Sequence, residues 1–585
     1  MSALESLLSN ALLAGRKAYG ATTQNEVNAR NPDYVRVQGT AQAERVSSTM
    51  TGTSTHLRRC TDPLSLRHVG KSKTAASGFQ ILAKVQSDLN SLFGRVGDEG
   101  SALAGRIKTF FQTLNQPAQV AGTQAYFTQL VKEAGDIASE FNRLSSEIQS
   151  QRTDSDQEIG RACSRLNTLL EEFHQCNRMI DSSESAHGDA FTARDKRDAL
   201  FLQISTYLPV TSSMEQNLSG SDTGVEYLYG PDGAALVTKA GANQIIFEES
   251  GALTPKTLYQ NENQDEGLSG VSVQFDQLTK DLTPSLKSGL LGGRLMLRDQ
   301  VLPDMQAALD QAASVFQDMI NTLHNQGTAF SAPAHIESSI PMDPTMDLSG
   351  RSGVLRIAQI NKFTGAVVDF KDIDLSGIST LADLQAATVW PLGPVDPDQT
   401  GIAYVGISED AQQLLVDLHM NDLFVSKTLD IQGRASRISL NPRIQENPEQ
   451  IAHGMLSKAP DLKPGDTAIQ SGDLSTLSKL GGLDRKVFLF DAGGTIGTKE
   501  MKFFDYGRLL MSTFASQASA AKGKAEIADR TLNTWEERLK ESQGVDPHEN
   551  QIQQMEWRNY MQTMMQMYVQ TLSLNQMLLS MIQGI

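Results

Sequence analysis

Two runs of apolar residues in the first third of the chain alternate steps of three and four positions. The first run is Phe127, Leu130, Ala134, Ile137, Phe141, Leu144 and Ile148, and the second is Ile159, Ala162, Leu166, Leu169, Phe173, Cys176 and Ile180. This spacing places one apolar seam along a helix, as in coiled-coil packing. The second run begins eleven positions after the first ends. Either the seam stutters there, or a turn near "QRTDSD" divides two antiparallel helices.

Two later stripes predict further helices. They are Met305, Leu309, Ala312, Phe316, Met319 and Leu323, and then Ala521, Ala525, Ala528, Leu532, Trp535 and Leu539. A long helix in water owes most of its stability to packing of its apolar face. These segments should therefore pack together as a helical bundle.

Between the helical segments the pattern changes to short strands broken by Gly, Pro and Asn. Strand candidates are "VEYLYG", "NQIIFEE", "GVLRIAQI", "FTGAVVDF" and "GIAYVGI", and "KAPDLKPGDTAIQSGDLSTLSKLGG" reads as loop and short helix. The predicted fold class is α+β multidomain, with paired terminal helices forming a coiled-coil-like stem, a long helical bundle and inserted β-rich domains. The predicted domains are 1–40 with 545–585 (terminal helices), 41–206 with 287–330 and 500–544 (bundle), 207–286 (β-rich) and 331–499 (β-rich insert).

Charge and composition exclude several classes of function. The formal net charge is −17, which argues against nucleic-acid binding, because phosphate recognition needs clustered Lys and Arg. Three cysteines without a CxxC pair predict neither a disulfide framework nor a cysteine zinc site. The opening "MSALESLLSNALLAGRKAYG" lacks the pattern of a cleaved Sec signal, and no apolar stretch is long enough for a transmembrane helix.

The C-terminal segment carries no charged side chain after Arg558. On a helix, one narrow polar stripe contains Gln562, Gln566, Gln570, Ser573, Gln576, Ser580 and Gln583. The opposite side contains Met561, Met565, Tyr568, Leu572, Leu579 and Ile582. A membrane span is not expected, since polar residues recur in every turn and no Lys or Arg anchors follow. Buried core and a partner-binding surface both remain open, and Met-rich faces are typical of adaptable surfaces.

The N-terminal segment predicts a helix that could pair with this C-terminal helix. Its seam is Leu4, Leu8, Ala11, Gly15, Ala18 and Thr22, whose small residues would allow a bulky Met/Leu helix to approach closely. Both seams could pack within one monomer or serve assembly with other subunits. The predicted assembly interface therefore comprises Leu4, Leu8, Ala11, Gly15, Ala18, Met561, Met565, Tyr568, Leu572, Leu579 and Ile582.

Few sequence motifs suggest a catalytic, phosphate-binding or metal-binding site. "FDAGGTIG" lacks the spacing of a phosphate-binding loop and predicts a turn. His174 lies near Cys176, but Cys176 belongs to the apolar seam, which favours a core thiol over a metal ligand. The "HEN" at His548 lacks the second histidine of a zinc protease. We expect no enzymatic activity, no cofactor and no metal. The basic stretch from His56 to Lys73 is expected to be a solvated loop, or alternatively to dock on an acidic neighbour.

Several stretches resemble one family. They are "SALESLLSNALLAGRKAYGATTQNEVNARNPDYVRVQ", "RDKRDALFLQIS", "GGRLMLRDQVLPDMQAALDQAASVFQDMINTLHNQG", "SLNPRIQENPEQIAHG" with "PGDTAIQSGDLSTL", and "GVDPHENQIQQMEWRNYMQTMMQMYVQTLSLNQML". Together they resemble the family of flagellar hook-associated protein 1, an axial protein of the junction between hook and filament. Asn25, Asn28, Asn31, Tyr34 and Arg36 match the Asn-rich turn that follows the family's first helix.

The resemblance implies a structural, extracellular subunit of the bacterial flagellum. Such proteins are exported by the flagellar type III system without a cleaved signal and assemble at the hook tip. The implied partners are the hook protein, a second junction protein, copies of the same chain, and an export chaperone on the C-terminal helix. The alternative is a secreted, membrane-active translocator with amphipathic helices, which the lack of Lys and Arg beside the apolar faces disfavours.

Overall fold

The computed structural model describes residues 2–46, 49–94, 103–116, 123–186, 189–216, 222–259, 267–276, 278–389 and 398–583. The chain begins with helix α1 (Ser2–Asn28), strands β1 (Val37–Val46) and β2 (Thr49–Arg59), and helices α2 (Pro63–Phe93), α3 (Leu103–Leu114), α4 (Gln124–Ser185) and α5 (Phe191–Tyr207). Six strands follow: β3 (Thr211–Gln216), β4 (Asp222–Tyr229), β5 (Ala235–Val237), β6 (Gln244–Ile246), β7 (Ser272–Phe275) and β8 (Leu278–Asp281).

Helical structure returns with α6 (Gly289–Met296), a π-helical turn (Leu297–Val301) and α7 (Leu302–His324). The next elements are β9 (Val354–Asn361), β10 (Val367–Asp374), α8 (Leu381–Thr388), β11 (Thr400–Gly406), α9 (Glu409–Asp417), β12 (Phe424–Val425), α10 (Arg434–Arg437), β13 (Ser439–Leu440), α11 (Pro442–Glu446) and α12 (Ser475–Gly481). The chain continues through β14 (Val487–Phe490), β15 (Lys499–Lys502), α13 (Phe503–Gln543) and α14 (Pro547–Gln583).

These elements form an α+β multidomain fold, as the sequence predicted. The small sheets have the strand orders β1-β2, β3-β4-β5, β6-β7-β8, β10-β9-β11, β12-β13 and β14-β15, and their strand pairs are antiparallel. The predicted strands in "VEYLYG", "NQIIFEE", "GVLRIAQI", "FTGAVVDF" and "GIAYVGI" are confirmed as β4, β6, β9, β10 and β11.

The two apolar seams lie on a single helix. α4 runs unbroken for 62 residues, so "QRTDSD" is not a turn. Eleven positions make about three helical turns, so the second seam begins on nearly the same side of the helix on which the first ends. Every residue of both seams is buried.

The two halves of α4 contribute to different cores. The first seam packs in a helical bundle with α2, α3, α7 and α13. The second seam packs with α5, α6 and the strands β4 to β7. α13 lies antiparallel to α2, since the Phe93 and Phe514 rings meet edge to face at 5.0 Å and Lys73 pairs with Glu536 at 3.1 Å. One helix thus connects the bundle to a β-rich unit.

A buried ionic layer separates these two cores. Arg298, in the π-helical turn, donates to Asp156 of α4 at 2.7 Å and to Asp299 at 2.7 Å. Arg152 of α4 donates to the Arg298 carbonyl at 3.1 Å and to the carbonyls of Thr254 and Thr257. Arg152, Asp156 and Arg298 are all at most 1% exposed. The polar residues that interrupt the seam therefore join α4, the π-turn and the β-rich unit through paired charges.

The sheet β10-β9-β11 separates two small cores. Leu355 on one face packs with α8 and α9, whereas Ala358 and Ile360 on the other face pack with residues around Leu456 and Ile469. Arg356, buried on the second face, forms a two-pronged ion pair with Asp372 of β10 at 2.7 and 2.8 Å. Successive side chains of β9 point to opposite faces of the sheet and therefore contribute alternately to the two cores.

The expectation of a solvated loop at His56 to Lys73 was wrong. β2 extends through Arg59, and α2 begins at Pro63 after Asp62, whose carboxylate accepts from the Ser65 amide as an N-cap. Arg59 is nearly buried and pairs with Asp195 at 2.6 Å and Asp198 at 2.7 Å. Its charge is therefore neutralised inside the chain, and the cap with proline at the first helical position explains the helix start.

The proposed domain boundaries remain a prediction.

The sequence did not predict the β1–β2 hairpin. The β14–β15 hairpin packs on α7 and α13 of the bundle core. "FDAGGTIG" is the turn of this second hairpin, as expected. Gly494 has φ +56°, and an added Cβ would lie 2.1 Å from the Asp304 carbonyl oxygen, so the turn requires glycine there.

Candidate assembly surface

The terminal helices pair with each other. α1 and α14 lie antiparallel, because Glu5 near the start of α1 contacts Asn575 near the end of α14, while Thr22 contacts Asn550. α14 begins at Pro547 after Asp546, whose carboxylate accepts from the amides of His548 at 2.8 Å and Glu549 at 3.2 Å. These hydrogen bonds lower the pKa of Asp546. The cap fixes where the second helix of the pair starts.

Small residues on α1 make the close contact. Leu8, Ala11, Gly15 and Ala18 are buried in the single chain, whereas Leu4 is 48% exposed. An added Cβ on Gly15 would lie 2.8 Å from Met561 Cγ and 3.0 Å from the Tyr560 ring. The glycine therefore sets how closely the two helices approach.

A buried asparagine holds the base of the pair. Asn25 Oδ1 accepts from the Val37 amide at 3.0 Å and from the Tyr34 hydroxyl at 2.9 Å. Its Nδ2 donates to the Val37 carbonyl at 2.9 Å and to Asn550 Oδ1 at 3.3 Å. Burial, with a smaller effect from the Asp195 charge, raises the pKa of Tyr34 to about 12. One side chain thus joins α1, β1 and α14, and its amide is fully satisfied.

Further polar contacts join the end of α1 to the start of α14. Asn550 and Gln554 donate to the Thr22 carbonyl at 2.9 and 3.3 Å, and Gln554 also donates to Glu26 at 2.8 Å. Arg36 pairs with Glu549 at 2.6 Å. The β1–β2 hairpin covers another side of α1, where an added Cβ on Gly39 would lie 2.7 Å from Ala18 Cβ. Sequence reasoning marked Asn25 only as part of a family motif and missed its contacts.

The residues of the predicted assembly interface on α14 differ in burial within the single chain. Met561 and Tyr568 of the predicted face are half-buried, as is the polar Asn575, and the polar Thr571 is buried. Met565, Leu572 and Leu579 are 54%, 38% and 58% exposed, and the side chain of Ile582 lies outside the described residues. The predicted interface residues of α14 are therefore divided between the intrachain contact and solvent.

The outer side of α14 is apolar and uncovered. Its exposed large side chains are Met565, Met567, Val569, Leu572, Leu574, Met577, Leu578, Leu579 and Met581. So many exposed large apolar side chains on one helix are unusual on a monomer and are typical of a surface that binds a partner. The predicted polar stripe is also exposed at Gln562, Gln566, Gln570, Ser573, Gln576 and Ser580, and the side chain of Gln583 lies outside the described residues.

The residues considered for chemistry lie in the core. Cys176 is buried among the α4–α5 and β-strand contacts, and burial raises the pKa of its thiol. His174 is also buried on α4. Among the described residues, no group of His, Cys, Asp and Glu is arranged to hold a metal ion, and no helix has the length and hydropathy that a membrane span requires.

Comparison with known proteins connects these features to a family. Residues 87–334 match the family described as "Flagellar hook-associated protein FlgK helical domain". Over these residues, which make up less than half of the chain, the chain is similar to the FlgK helical domain. The matched range contains α4, α5, the strands β3 to β8, and α6 to α7 with the π-helical turn. The resemblance inferred from the sequence is confirmed, and the buried Arg298–Asp156 layer lies inside the matched range.

Curated relatives give the same family. "Flagellar hook-associated protein 1" of Salmonella typhimurium (strain LT2) and that of Salmonella typhi are each 23% identical to the chain over 258 residues, which is 44% of this chain and 43% of theirs. The match spans less than half the length of these curated relatives. A solved structure of "the flagellar hook junction protein FlgK from Burkholderia pseudomallei" covers 80% of this chain and 98% of its own, with 13% identity and a TM-score of 0.47.

Proposed function

We propose that this chain is a structural subunit of the bacterial flagellum that forms the junction between hook and filament. The observation that carries the proposal is the match of residues 87–334 to the FlgK helical domain. The names of the Salmonella relatives support it. In this role the chain is not an enzyme and needs no cofactor, and it acts outside the cell.

Assembly through the terminal helices is the second part of the proposal. The α1–α14 pair would form the inner part of the junction, with the uncovered apolar side of α14 packed against neighbouring subunits. Its partners would be copies of this chain, the hook protein and a second junction protein. The exposure of Met565, Leu572 and Leu579 supports this, since burial of apolar surface drives most protein association.

Export follows from the same proposal. The chain would leave the cell through the flagellar type III system without a cleaved signal peptide. Before assembly, an export chaperone would cover the C-terminal helix. The absence of charge after Arg558 supports the need for such a cover, because an exposed uncharged Met/Leu helix favours aggregation.

Deletion of the gene tests the function. Hooks should still form, but filaments should fail to attach, and filament subunits should accumulate in the medium. Expression of the full chain should restore attachment, whereas a chain ending at Tyr560 should not, although its bundle core remains. Normal filaments on the deletion strain would refute the junction role. Full rescue by the shortened chain would refute assembly through α14 only.

A further inference from the structure

Methionine is concentrated on the last helix. α14 spans 37 residues and carries seven of the chain's 20 methionines, which are Met555, Met561, Met564, Met565, Met567, Met577 and Met581. Five of them, Met555, Met565, Met567, Met577 and Met581, are between 47% and 63% exposed. In the rest of the chain that the structure describes, the exposed methionines are Met179 and Met214. The methionine side chains that solvent reaches therefore lie mainly on one helix.

These exposed methionines lie on both apolar flanks of α14. Residues seven positions apart lie on nearly the same side of a helix. Met565 therefore shares one flank with Leu572 and Leu579, whereas Met567 and Met581 lie on the other. The predicted polar stripe runs between the two flanks. A neighbouring subunit that packs on either flank would thus bury at least one methionine.

The thioether sulfur is the reactive atom of methionine. A sulfur lone pair attacks one oxygen of hydrogen peroxide, the S–O bond forms, the O–O bond breaks, and water leaves. The sulfur is oxidised by two electrons and the peroxide is reduced by two. The product, methionine sulfoxide, is polar, and methionine sulfoxide reductases convert it back to methionine. Because peroxide must reach the sulfur, the exposed methionines of α14 should react before the buried Met305, Met319 and Met511.

We propose that the five exposed methionines of α14 are a site of reversible oxidation by peroxide, and that their oxidation prevents the free chain from joining the junction. This inference rests on the proposed assembly through α14. An oxidised flank would carry sulfoxide oxygens into a packed helical contact, where a buried acceptor without a donor weakens binding. In the single chain the same oxygens remain hydrated, so the fold is retained. Assembly would cover these side chains, and the unassembled subunit is therefore the sensitive form.

Peptide mass spectrometry of the full chain after brief hydrogen peroxide treatment tests the site. The five exposed methionines of α14 should be converted to sulfoxide, as should Met179 and Met214. Met305, Met319 and Met511 should remain reduced, and the melting temperature should change little. Oxidation of the buried methionines as fast as those of α14, or α14 methionines that remain reduced, would overturn the proposal.

Binding to isolated hooks tests the consequence. Hooks are prepared from a strain that lacks the gene, and cosedimentation measures how much of the full chain binds. Peroxide treatment should weaken binding by about tenfold or more. Treatment of the oxidised chain with the two methionine sulfoxide reductases, one for each sulfoxide epimer, should restore it.

Two variants assign the effect to α14. The first combines Met555→Leu, Met565→Leu, Met567→Leu, Met577→Leu and Met581→Leu, which keep the helix apolar and nearly unchanged in volume. It should bind hooks equally well before and after peroxide treatment. The matched control combines Met179→Leu with Met214→Leu, which removes exposed methionines elsewhere, and should lose binding on oxidation as the parent does.

The outcomes separate this inference from the junction role. Undiminished binding of the oxidised parent would overturn the inference, as would equal loss in the five-leucine variant. That variant retains Cys60, Cys163 and Cys176, so damage at a thiol would appear in it. Reversal by the reductases is measured on the parent and needs no variant to fold, and loss that they fail to reverse would also overturn the inference. If the untreated parent does not bind hooks, the junction role fails and the effect on assembly fails with it, whereas the mass spectra alone decide whether α14 is the oxidised site.

Discussion

Asn25 illustrates what a single polar residue does in the terminal pair. It is fully buried, and its contacts come from β1 and from a helix 525 positions away in sequence. The sequence identifies an asparagine near the end of a helix, but local patterns carry no information about contacts across the whole chain. This is why the seam of α1 was predictable and the hydrogen bonds that fix it were not.

Asn25→Ala should loosen the base of the terminal pair. It leaves the buried backbone groups of Val37 without partners, which costs about 1–3 kcal/mol for each unsatisfied group. Amide exchange of Val37 and of the last two turns of α1 should accelerate. Asn28→Ala is the control, because Asn28 only donates to the Gln24 carbonyl of its own helix. Equal acceleration in both variants would mean that helix propensity, and not the buried contacts, controls this end.

His324 gives the stability of the bundle a pH dependence. Its Nε2 accepts from the Ala452 amide, and its Nδ1 faces the Asn421 carbonyl, so the ring is neutral with the proton on Nδ1. Burial, opposed by the contact with Asn421, lowers the pKa of His324 from 6.5 to about 4.

Between these two pKa values the unfolded chain binds a proton that the folded chain does not. Stability from His324 is therefore complete above pH 6.5 and is lost as the pH falls toward 4, by up to about 3 kcal/mol. Denaturant unfolding of His324→Gln should show a smaller decline over this range than the parent. His548→Gln, on the exposed first turn of α14, should keep the parent's slope. An unchanged slope in His324→Gln would assign the acid sensitivity to other groups.

At the scale of whole elements, the apolar seams of α4 were predictable because burial follows their spacing. The interruption at "QRTDSD" was ambiguous, since buried polar residues and a turn give the same sequence signal. Its partners Arg298 and Asp299 lie in a π-helical turn that no periodicity marks. The β1–β2 hairpin was missed because its strands are rich in Thr, Ser and Gly and carry few apolar residues. On α14, nearly every side is apolar, so spacing could not select the face that meets α1.

The ionic layer between the two cores should be essential for the bundle. Arg298→Met leaves Asp156 buried and partly unpaired, which should destabilise the domain by about 3–5 kcal/mol. Arg161→Met is the matched control, because it breaks an exposed ion pair with Glu158 on the same helix and should cost at most about 1 kcal/mol. Thermal unfolding measures both. Similar melting temperatures for the two variants would mean that the buried layer contributes no net stability.

Gly15 should control the approach of α1 to α14. Gly15→Leu places a side chain where Met561 and Tyr560 already lie, and should separate the helices. Gly20→Leu is the control, because no atom lies within 4 Å of an added Cβ there and leucine favours the helix. Amide exchange of α1 should accelerate in Gly15→Leu and slow or stay constant in Gly20→Leu. If both variants behave alike, the α1–α14 contact does not depend on close packing at Gly15.

At the scale of the whole molecule, the fold pairs the two ends of the chain with each other. The rest of the chain, here called the body, contains the buried cores of the helical bundle and the β-rich units. In a single chain, α14 has α1 as its main packing partner and leaves most of its apolar surface in water. By contrast, the apolar seams of α4 are buried along the whole length of that helix. Stability should therefore be concentrated in the body, and the terminal pair should gain much of its order from neighbouring subunits.

Leu572→Asp separates folding from assembly. Leu572 is 38% exposed in the single chain, so a carboxylate there can remain hydrated, and the melting temperature should change little. In a packed junction the same carboxylate would be buried without a partner, at a cost of several kcal/mol, which exceeds what most single contacts contribute. The variant should therefore fold but fail to restore swimming in a deletion strain. Gln570→Asp, on the exposed polar stripe, adds the same charge and should impair swimming less. Swimming equal to the parent in Leu572→Asp would exclude this face from the junction. A variant that cannot fold would instead place Leu572 in the core of the single chain.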